Sequence, residues 1–221
     1  MSRTLRLLGT LVAAAAAFAL VQYVAGGATQ ADDGRLRTTD GDTVVITEAA
    51  RKAGLSFRPE VAPADRAWIL AALARARPEA AQLIAEVDGL VQVGGAVEPG
   101  ALGVTRSGPT GFTVDVDLAR LDNDRVMDRA TVVLHEFGHV VDFALVPSAV
   151  DKALDGQVPR GGPCGLAIDC DMLEERFADT FAKWALNGAV SQGGAGYGVA
   201  MPASIEDWGA PLGQIALALP S

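Results

Sequence analysis

Two histidines one helical turn apart, inside an apolar stretch, constrain this chain more than any other feature of its sequence. His135 and His139 flank a segment that begins with Glu136, and valine, leucine and phenylalanine dominate the surroundings. On a helix this spacing directs both imidazoles from one face, so that they can bind the same tetrahedral metal ion. Because a buried helix must give its polar side chains partners, we predict a metal centre here. Two core histidines satisfied by hydrogen bonds are the alternative.

A metal centre built on these histidines needs another protein ligand. The chain has only 2 histidines, so the metzincin pattern with its third histidine is excluded and a carboxylate is expected. The segment EERFAD, residues 174–179, lies in a second predicted helix. Glu175 and Asp179 lie about 40° apart around that helix, on a sector of small residues that allows close approach. We expect Glu175 to bind the metal and Asp179 to accept a hydrogen bond from a ligating histidine.

The rest of the sequence predicts an α+β domain in which both helices pack on a small sheet. Predicted strands are Thr43–Thr47, Val87–Val93, Ala101–Arg106 and Phe112–Asp117. Predicted helices start near Pro63, at Pro78, near Arg125 with caps among residues 122–124, and at Asp171. Apolar and polar residues alternate in Phe112–Asp117, which is typical of a half-buried antiparallel strand, at an edge or in the core. Helices, strands and helices in succession indicate an α+β layer architecture.

The second predicted helix, Asp171–Asn187, has distinct faces. Asp171 and Glu174 have the spacing of a capping box, and Gly188 predicts the end of the helix. The side assigned to solvent carries Arg176, Thr180 and Lys183. The alternative to the metal interpretation is that Glu175 and Asp179 are ordinary carboxylates on a solvated face.

The two helical motifs together resemble the catalytic domain of anthrax lethal factor and its relatives. HEFGHVVD at residues 135–142 and ERFADTFA at residues 175–182 are similar to that family's HExGHxxD helix and later ExFAExF segment. The resemblance covers about residues 85–190 and implies a zincin-like metallopeptidase fold of the gluzincin type. It implies one zinc ion bound by His135, His139 and Glu175, with Glu136 as the general base for the zinc-activated water.

The chain departs from the family at two positions. Asp179 stands where the family has a second glutamate, which is a conservative change. The family also has a tyrosine seven residues before its ligand glutamate, and Ile168 occupies that place here. Tyr197 is the candidate replacement for stabilising the oxyanion.

The first 31 residues are expected to be a secretory signal. Arg3 and Arg6 precede an apolar run that extends from Leu7 to Val21, and small residues follow near Ala28. An uncleaved membrane anchor is the alternative, since the uncharged stretch is long enough to span a bilayer. We therefore divide the chain into a signal (1–31), an N-terminal lead with one short strand (32–62), the zincin-like domain (63–190) and a Gly-rich C-terminal tail (191–221), whose apolar end can dock back.

Charge and cysteine content bear on the partners and the compartment. The formal net charge of -9 excludes nucleic acid as a favoured partner and disfavours anionic membrane surfaces. The 2 cysteines, Cys164 and Cys170, are predicted to form a disulfide in an oxidising compartment, because their spacing does not match that of zinc cysteines. The function expected is an exported zinc endopeptidase acting on a peptide or protein. The alternative is a catalytically silent binding module of the cell envelope with structural zinc.

Overall fold

The computed structural model of the chain describes residues 35–37, 43–45, 49, 53–121, 128–160, 172–189 and 199–219. In this part the strands are β1 (Arg35–Arg37), β2 (Thr43–Val45), β3 (Ser56–Phe57), β4 (Val91–Gly94), β5 (Gly103–Gly108) and β6 (Gly111–Val116). The helices are α1 (Pro63–Leu73), α2 (Pro78–Val87), α3 (Leu118–Leu121), α4 (Arg129–Leu145), α5 (Ser148–Asp155), α6 (Leu173–Ala185) and α7 (Ile205–Ala218). This combination confirms the α+β class.

The main sheet has four strands in the order β3-β4-β6-β5. β3, β4 and β6 are parallel to one another, and β5 is antiparallel to β6 through the tight hairpin that ends at Gly111. Gly111 adopts a φ of 141°, and a Cβ atom there would lie 2.3 Å from the carbonyl oxygen of Leu90. The strand order shows that Phe112–Asp117 is not an edge strand, so that alternative of the sequence analysis is wrong. That strand is β6, in the interior of the sheet, and β5 is the edge strand beside it.

α4 lies at the centre of the core, between the sheet and the helices α1 and α6. Every residue from Ala130 to Asp142 is buried. The helix begins at Arg129, later than the predicted start near Arg125, because Asp128 caps it. The Asp128 carboxylate accepts hydrogen bonds from the Ala130 amide and, at 2.6 Å, from the Thr131 hydroxyl.

α6 crosses close to α4 through small residues on both helices. A Cβ atom at Gly138 would lie 3.0 Å from the Cα atom of Ala178, so the two backbones are nearly in contact. Ala178 and Ala182, on the facing side of α6, are fully buried. The predicted sector of small residues does allow this close approach, which brings side chains of the two helices to a common point.

The ends of α6 differ in how well the sequence predicts them. The helix begins at Leu173 with Met172 at the N-cap, two residues after the predicted start at Asp171. Asp171, the first residue of the predicted capping box, lies outside the described residues. It ends at Ala185, two residues before the predicted Asn187, and Gly188 terminates it as predicted: Gly188 has a φ of 74°, and its amide donates to the carbonyl oxygen of Lys183. A glycine accommodates this left-handed conformation without a steric penalty.

Two segments assigned outside the domain contribute to the packed structure. Part of the lead, residues 32–62, forms the β1–β2 hairpin and β3, and β1 contacts α4. Within the predicted tail, residues 205–218 form α7, whose Trp208 is fully buried. The segment predicted as a strand from Val87 is first a helix and a 3₁₀ turn, and the strand itself starts at Val91.

The predicted signal or anchor, residues 1–31, lies outside the described residues. Among the residues described, no helix has the length and apolarity needed to cross a bilayer.

Candidate metal centre

α4 and α6 bring two imidazoles and a carboxylate to one point. The Nε2 atoms of His135 and His139 are 3.2 Å apart. Glu175 Oε2 lies 3.2 Å from His135 Nε2, and Glu175 Oε1 lies 3.5 Å from His139 Nε2. Within the part of the chain that the structure describes, this is the group of side chains that can hold a metal ion. The sequence analysis had predicted the same carboxylate, Glu175, as the metal ligand from its angular position around the helix.

The separations of the donor atoms are close to those around a tetrahedral ion. Ligands about 2.0–2.1 Å from a zinc ion at tetrahedral angles stand about 3.3 Å from one another. The two Nε2 atoms are 3.2 Å apart, and Glu175 places one oxygen 3.2 Å from His135 Nε2 and its other oxygen 3.5 Å from His139 Nε2. One donor atom from each side chain lies within 4.8 Å of the other two. The histidines are buried, whereas 26% of the Glu175 side chain is exposed, so the carboxylate side of the group is the one nearer solvent. Three side chains leave a fourth tetrahedral position for water or substrate.

The protonation states of the three side chains suit a cation. Burial, together with the charge of His135, lowers the pKa of His139 to about 3, so this imidazole is neutral at pH 7. Burial opposes charge on His135, but the hydrogen bond to Glu175 and nearby carboxylates outweigh it and raise its pKa. Burial likewise opposes charge on Glu175, but the bond to His135 and the histidine charges lower its pKa. A cation bound between them would meet the carboxylate of Glu175 and the neutral imidazole of His139, and its binding would compete with protons for the ring nitrogen of His135.

Glu136, the residue after His135, contacts the edge strand β5. The Thr105 hydroxyl lies 2.8 Å from Glu136 Oε2 and 3.0 Å from the Glu136 carbonyl oxygen. Burial raises the pKa of Glu136 to about 7, against the opposing effects of His135 and of the hydrogen bond from Thr105. A carboxyl group that exchanges its proton near neutral pH suits general acid–base chemistry. No pattern in the sequence had indicated Thr105.

Asp179 lies near the centre but has a partner that the sequence analysis did not assign. The Lys183 ammonium donates to Asp179 Oδ2 and to the backbone carbonyl of Val199. The negative charge of Asp179 contributes to the raised pKa of His135. Lys183 lies one helical turn from Asp179, a spacing at which side chains on a helix meet.

The side of α6 assigned to solvent is buried, which corrects that prediction. Arg176, Thr180 and Lys183 are 2%, 0% and 7% exposed. The Arg176 guanidinium pairs with Asp155 and donates to the carbonyl oxygens of Val158 and Pro159, in the segment after α5. These bonds satisfy a charge that is otherwise costly to bury. They also hold α5 and the segment after it against α6, next to Glu175.

A second acidic group lies where α4, α5 and α6 meet. Asp142 and Asp151 are buried, and each has a carboxylate oxygen without a hydrogen-bond partner among the described residues. Burial and the charges of Asp151 and Glu174 raise the pKa of Asp142 well above its usual value. Burial and the charges of Asp155 and Glu174 raise the pKa of Asp151 to about 6. Folding therefore shifts both carboxyls toward the protonated form relative to the unfolded chain.

This acidic group predicts a specific dependence of stability on pH. A carboxyl whose pKa is raised by folding contributes stability below its unfolded pKa, about 3.9, and loses it as pH rises through the folded value. Because the folded value for Asp151 is about 6, the substitution Asp151→Asn should become more favourable relative to wild type between pH 4 and pH 7. Urea unfolding of both proteins across this range measures the difference. A difference that stays constant with pH would contradict the prediction.

Three residues of the predicted site lie outside the described residues. They are Tyr197, the candidate oxyanion residue, and Cys164 and Cys170, the candidate disulfide. The structure thus bears on the His-His-Glu group and on Glu136. No known protein family, curated protein or solved structure matches this chain. The site is therefore interpreted from its own chemistry.

Proposed function

We propose that this protein is an exported zinc-dependent endopeptidase that hydrolyses peptide bonds with Glu136 as general base. One observation carries the proposal. A buried carboxyl, bonded by the Thr105 hydroxyl, directly follows in sequence one of two imidazoles that form, with the carboxylate of Glu175, a group able to hold a metal ion. The resemblance of both motifs to the lethal-factor family supports the same reaction, and the apolar N-terminal segment supports export.

Zinc is the metal that the donor set favours. Two imidazole nitrogens and one carboxylate oxygen form a ligand set of catalytic zinc sites, which keep a further position open. Magnesium and calcium prefer sites made of oxygen ligands, so two imidazoles disfavour them. When bound, zinc polarises the scissile carbonyl group and lowers the pKa of a water molecule.

The roles of the protein groups follow from their positions. Glu136 accepts a proton from the attacking water and passes it to the amine that leaves when the C–N bond breaks. His135, His139 and Glu175 would hold the ion, and burial of the two histidines excludes bulk water from that side. Tyr197 is our candidate for stabilising the oxyanion, and Asp179 for orienting the ligands through its charge near His135.

An extended peptide is the substrate form that the sheet favours. β5 is an edge strand of the sheet, and Thr105 on this strand contacts Glu136. Edge strands offer backbone groups to which an extended chain can add. We therefore assign the binding of an extended peptide to β5.

A non-catalytic binding module with structural zinc is the second candidate. Ile168, at the position of the family's tyrosine, favours it. The burial of Glu136 beside the ligands opposes it, because a structural site gains nothing from a carboxyl group that does not bind the metal. The proposed disulfide of Cys164 and Cys170 is compatible with both candidates.

Metal content and peptide turnover together test the proposed function. The protein should bind one zinc ion per chain, cleave members of a peptide library, lose cleavage when treated with a chelator and regain it with zinc. Zinc is measured by atomic emission and cleavage by mass spectrometry. Stoichiometric zinc without cleavage of any peptide would favour the binding module, and a protein that binds no zinc would contradict both candidates.

A further inference from the structure

We propose that Thr105 is a positioning residue that fixes the carboxylate of Glu136, in a recess that Gly103 opens on the same strand. This proposal rests on the proposed function for its kinetic consequences but on the geometry of β5 and α4 for the contact itself. Thr105 and Gly103 are two residues apart on β5, so they face the same side of the strand.

Gly103 gives the Glu136 side chain its space. A Cβ atom at position 103 would lie 2.3 Å from Glu136 Oε1 and 2.6 Å from its Cγ and Cδ atoms. These distances are shorter than any non-bonded contact, so a side chain larger than hydrogen would displace the carboxylate. The close approach of strand and carboxylate thus depends on a glycine at this position.

Thr105 fixes the carboxylate within that space. Its hydroxyl has two acceptors within hydrogen-bond distance, Oε2 at 2.8 Å and the main-chain carbonyl oxygen at 3.0 Å, and both belong to Glu136. A half-buried hydroxyl on an edge strand can satisfy its hydrogen bonds with water. Here the Thr105 hydroxyl lies instead against two oxygens of Glu136 on α4, and these contacts restrict the side-chain torsions of Glu136.

A hydroxyl group suits a base that changes its proton content during a reaction. It can donate to the carboxylate before Glu136 takes a proton, and accept from the carboxylic acid afterwards while donating to the carbonyl oxygen. An amine could only donate and a methyl group could do neither. Thr105 can therefore keep Glu136 in place on both sides of the proton transfer.

The variants Thr105→Val and Thr105→Ser test this role. Valine keeps the shape and removes the hydroxyl, whereas serine keeps the hydroxyl. We expect Thr105→Val to lower kcat about 10- to 100-fold, as misplacement of a reacting group by about 1 Å does, with KM and zinc content close to wild type. Thr105→Ser should restore most of kcat, and Thr110→Val, in the exposed turn after β5, should not change it.

Crystal structures of the same proteins provide a readout that does not depend on activity. In Thr105→Val the Glu136 carboxylate should leave its wild-type position, and in Thr105→Ser it should stay. An unmoved carboxylate in Thr105→Val, or equal loss of kcat in both variants, would overturn the proposal. If wild-type protein cleaves no peptide, the proposed function fails, and the carboxylate positions still decide whether Thr105 holds Glu136.

Discussion

Replacing Glu136 by glutamine is expected to abolish peptide hydrolysis and leave zinc binding intact. The amide has the size of the carboxylate, and it can still bond to the Thr105 hydroxyl, which lies 2.8 Å from Oε2. However, it cannot take a proton from water. General bases accelerate reactions by about 10²–10⁴-fold, so kcat should fall by at least about 100-fold. Zinc content should remain one per chain because His135, His139 and Glu175 are unchanged.

A matched substitution separates this effect from the general loss of a carboxylate. Glu60 is exposed in the segment before α1, far along the chain from the centre. Glu60→Gln should therefore retain wild-type kcat and zinc content. Assays of both variants with the same peptide, together with metal analysis, complete the test. Wild-type turnover by Glu136→Gln would remove this residue from the mechanism.

The sequence was most informative where function depends on local helical spacing. The interval between His135 and His139 sufficed to predict that two imidazoles meet, and their Nε2 atoms are 3.2 Å apart. The same helical geometry selected Glu175, because its angular position is shared with the small residues that let α6 approach α4. Both inferences need only the period of the helix, which does not change with the surroundings.

The sequence was least informative where partners are distant along the chain. Arg176 was assigned to solvent because its charge is normally exposed, but Asp155 and the carbonyl groups after α5 bury it. Lys183 is buried for the same kind of reason, through the carbonyl oxygen of Val199. The edge position of β5 depends on which strands pair, and pairing between distant strands cannot be derived from alternation within one of them.

The contact between Thr105 and Glu136 could not be predicted from the sequence for two reasons. Thr105 lies 31 residues before Glu136 and carries no motif. Gly103 resembles any other glycine of a chain that contains 25 of them. Only the placement of β5 over α4 shows that one leaves room for the carboxylate and the other bonds to it. The chemistry of the metal ligands could be predicted from the sequence, but the support for the base could not.

Replacing Glu175 by alanine is expected to lower zinc affinity more than any other single change to α6. It removes the carboxylate whose two oxygens lie 3.2 Å and 3.5 Å from the nitrogens of His135 and His139, respectively, and leaves two imidazoles to hold the ion. Groups that only orient ligands typically account for about 10–100-fold in affinity, so the loss here should exceed about 100-fold.

Two neighbouring acids provide the controls for this loss. Asp179→Ala should lower zinc affinity by about 10–100-fold, because Asp179 acts on His135 by its charge and pairs with Lys183. Glu174→Ala should keep wild-type zinc affinity and should not lower stability, since Glu174 adds unfavourable negative charge beside Asp142 and Asp151. Competitive titration with a chromophoric chelator gives the three affinities. If Glu174→Ala lost zinc while Glu175→Ala retained it, α6 would present a different face to the histidines, and the His-His-Glu centre would be wrong.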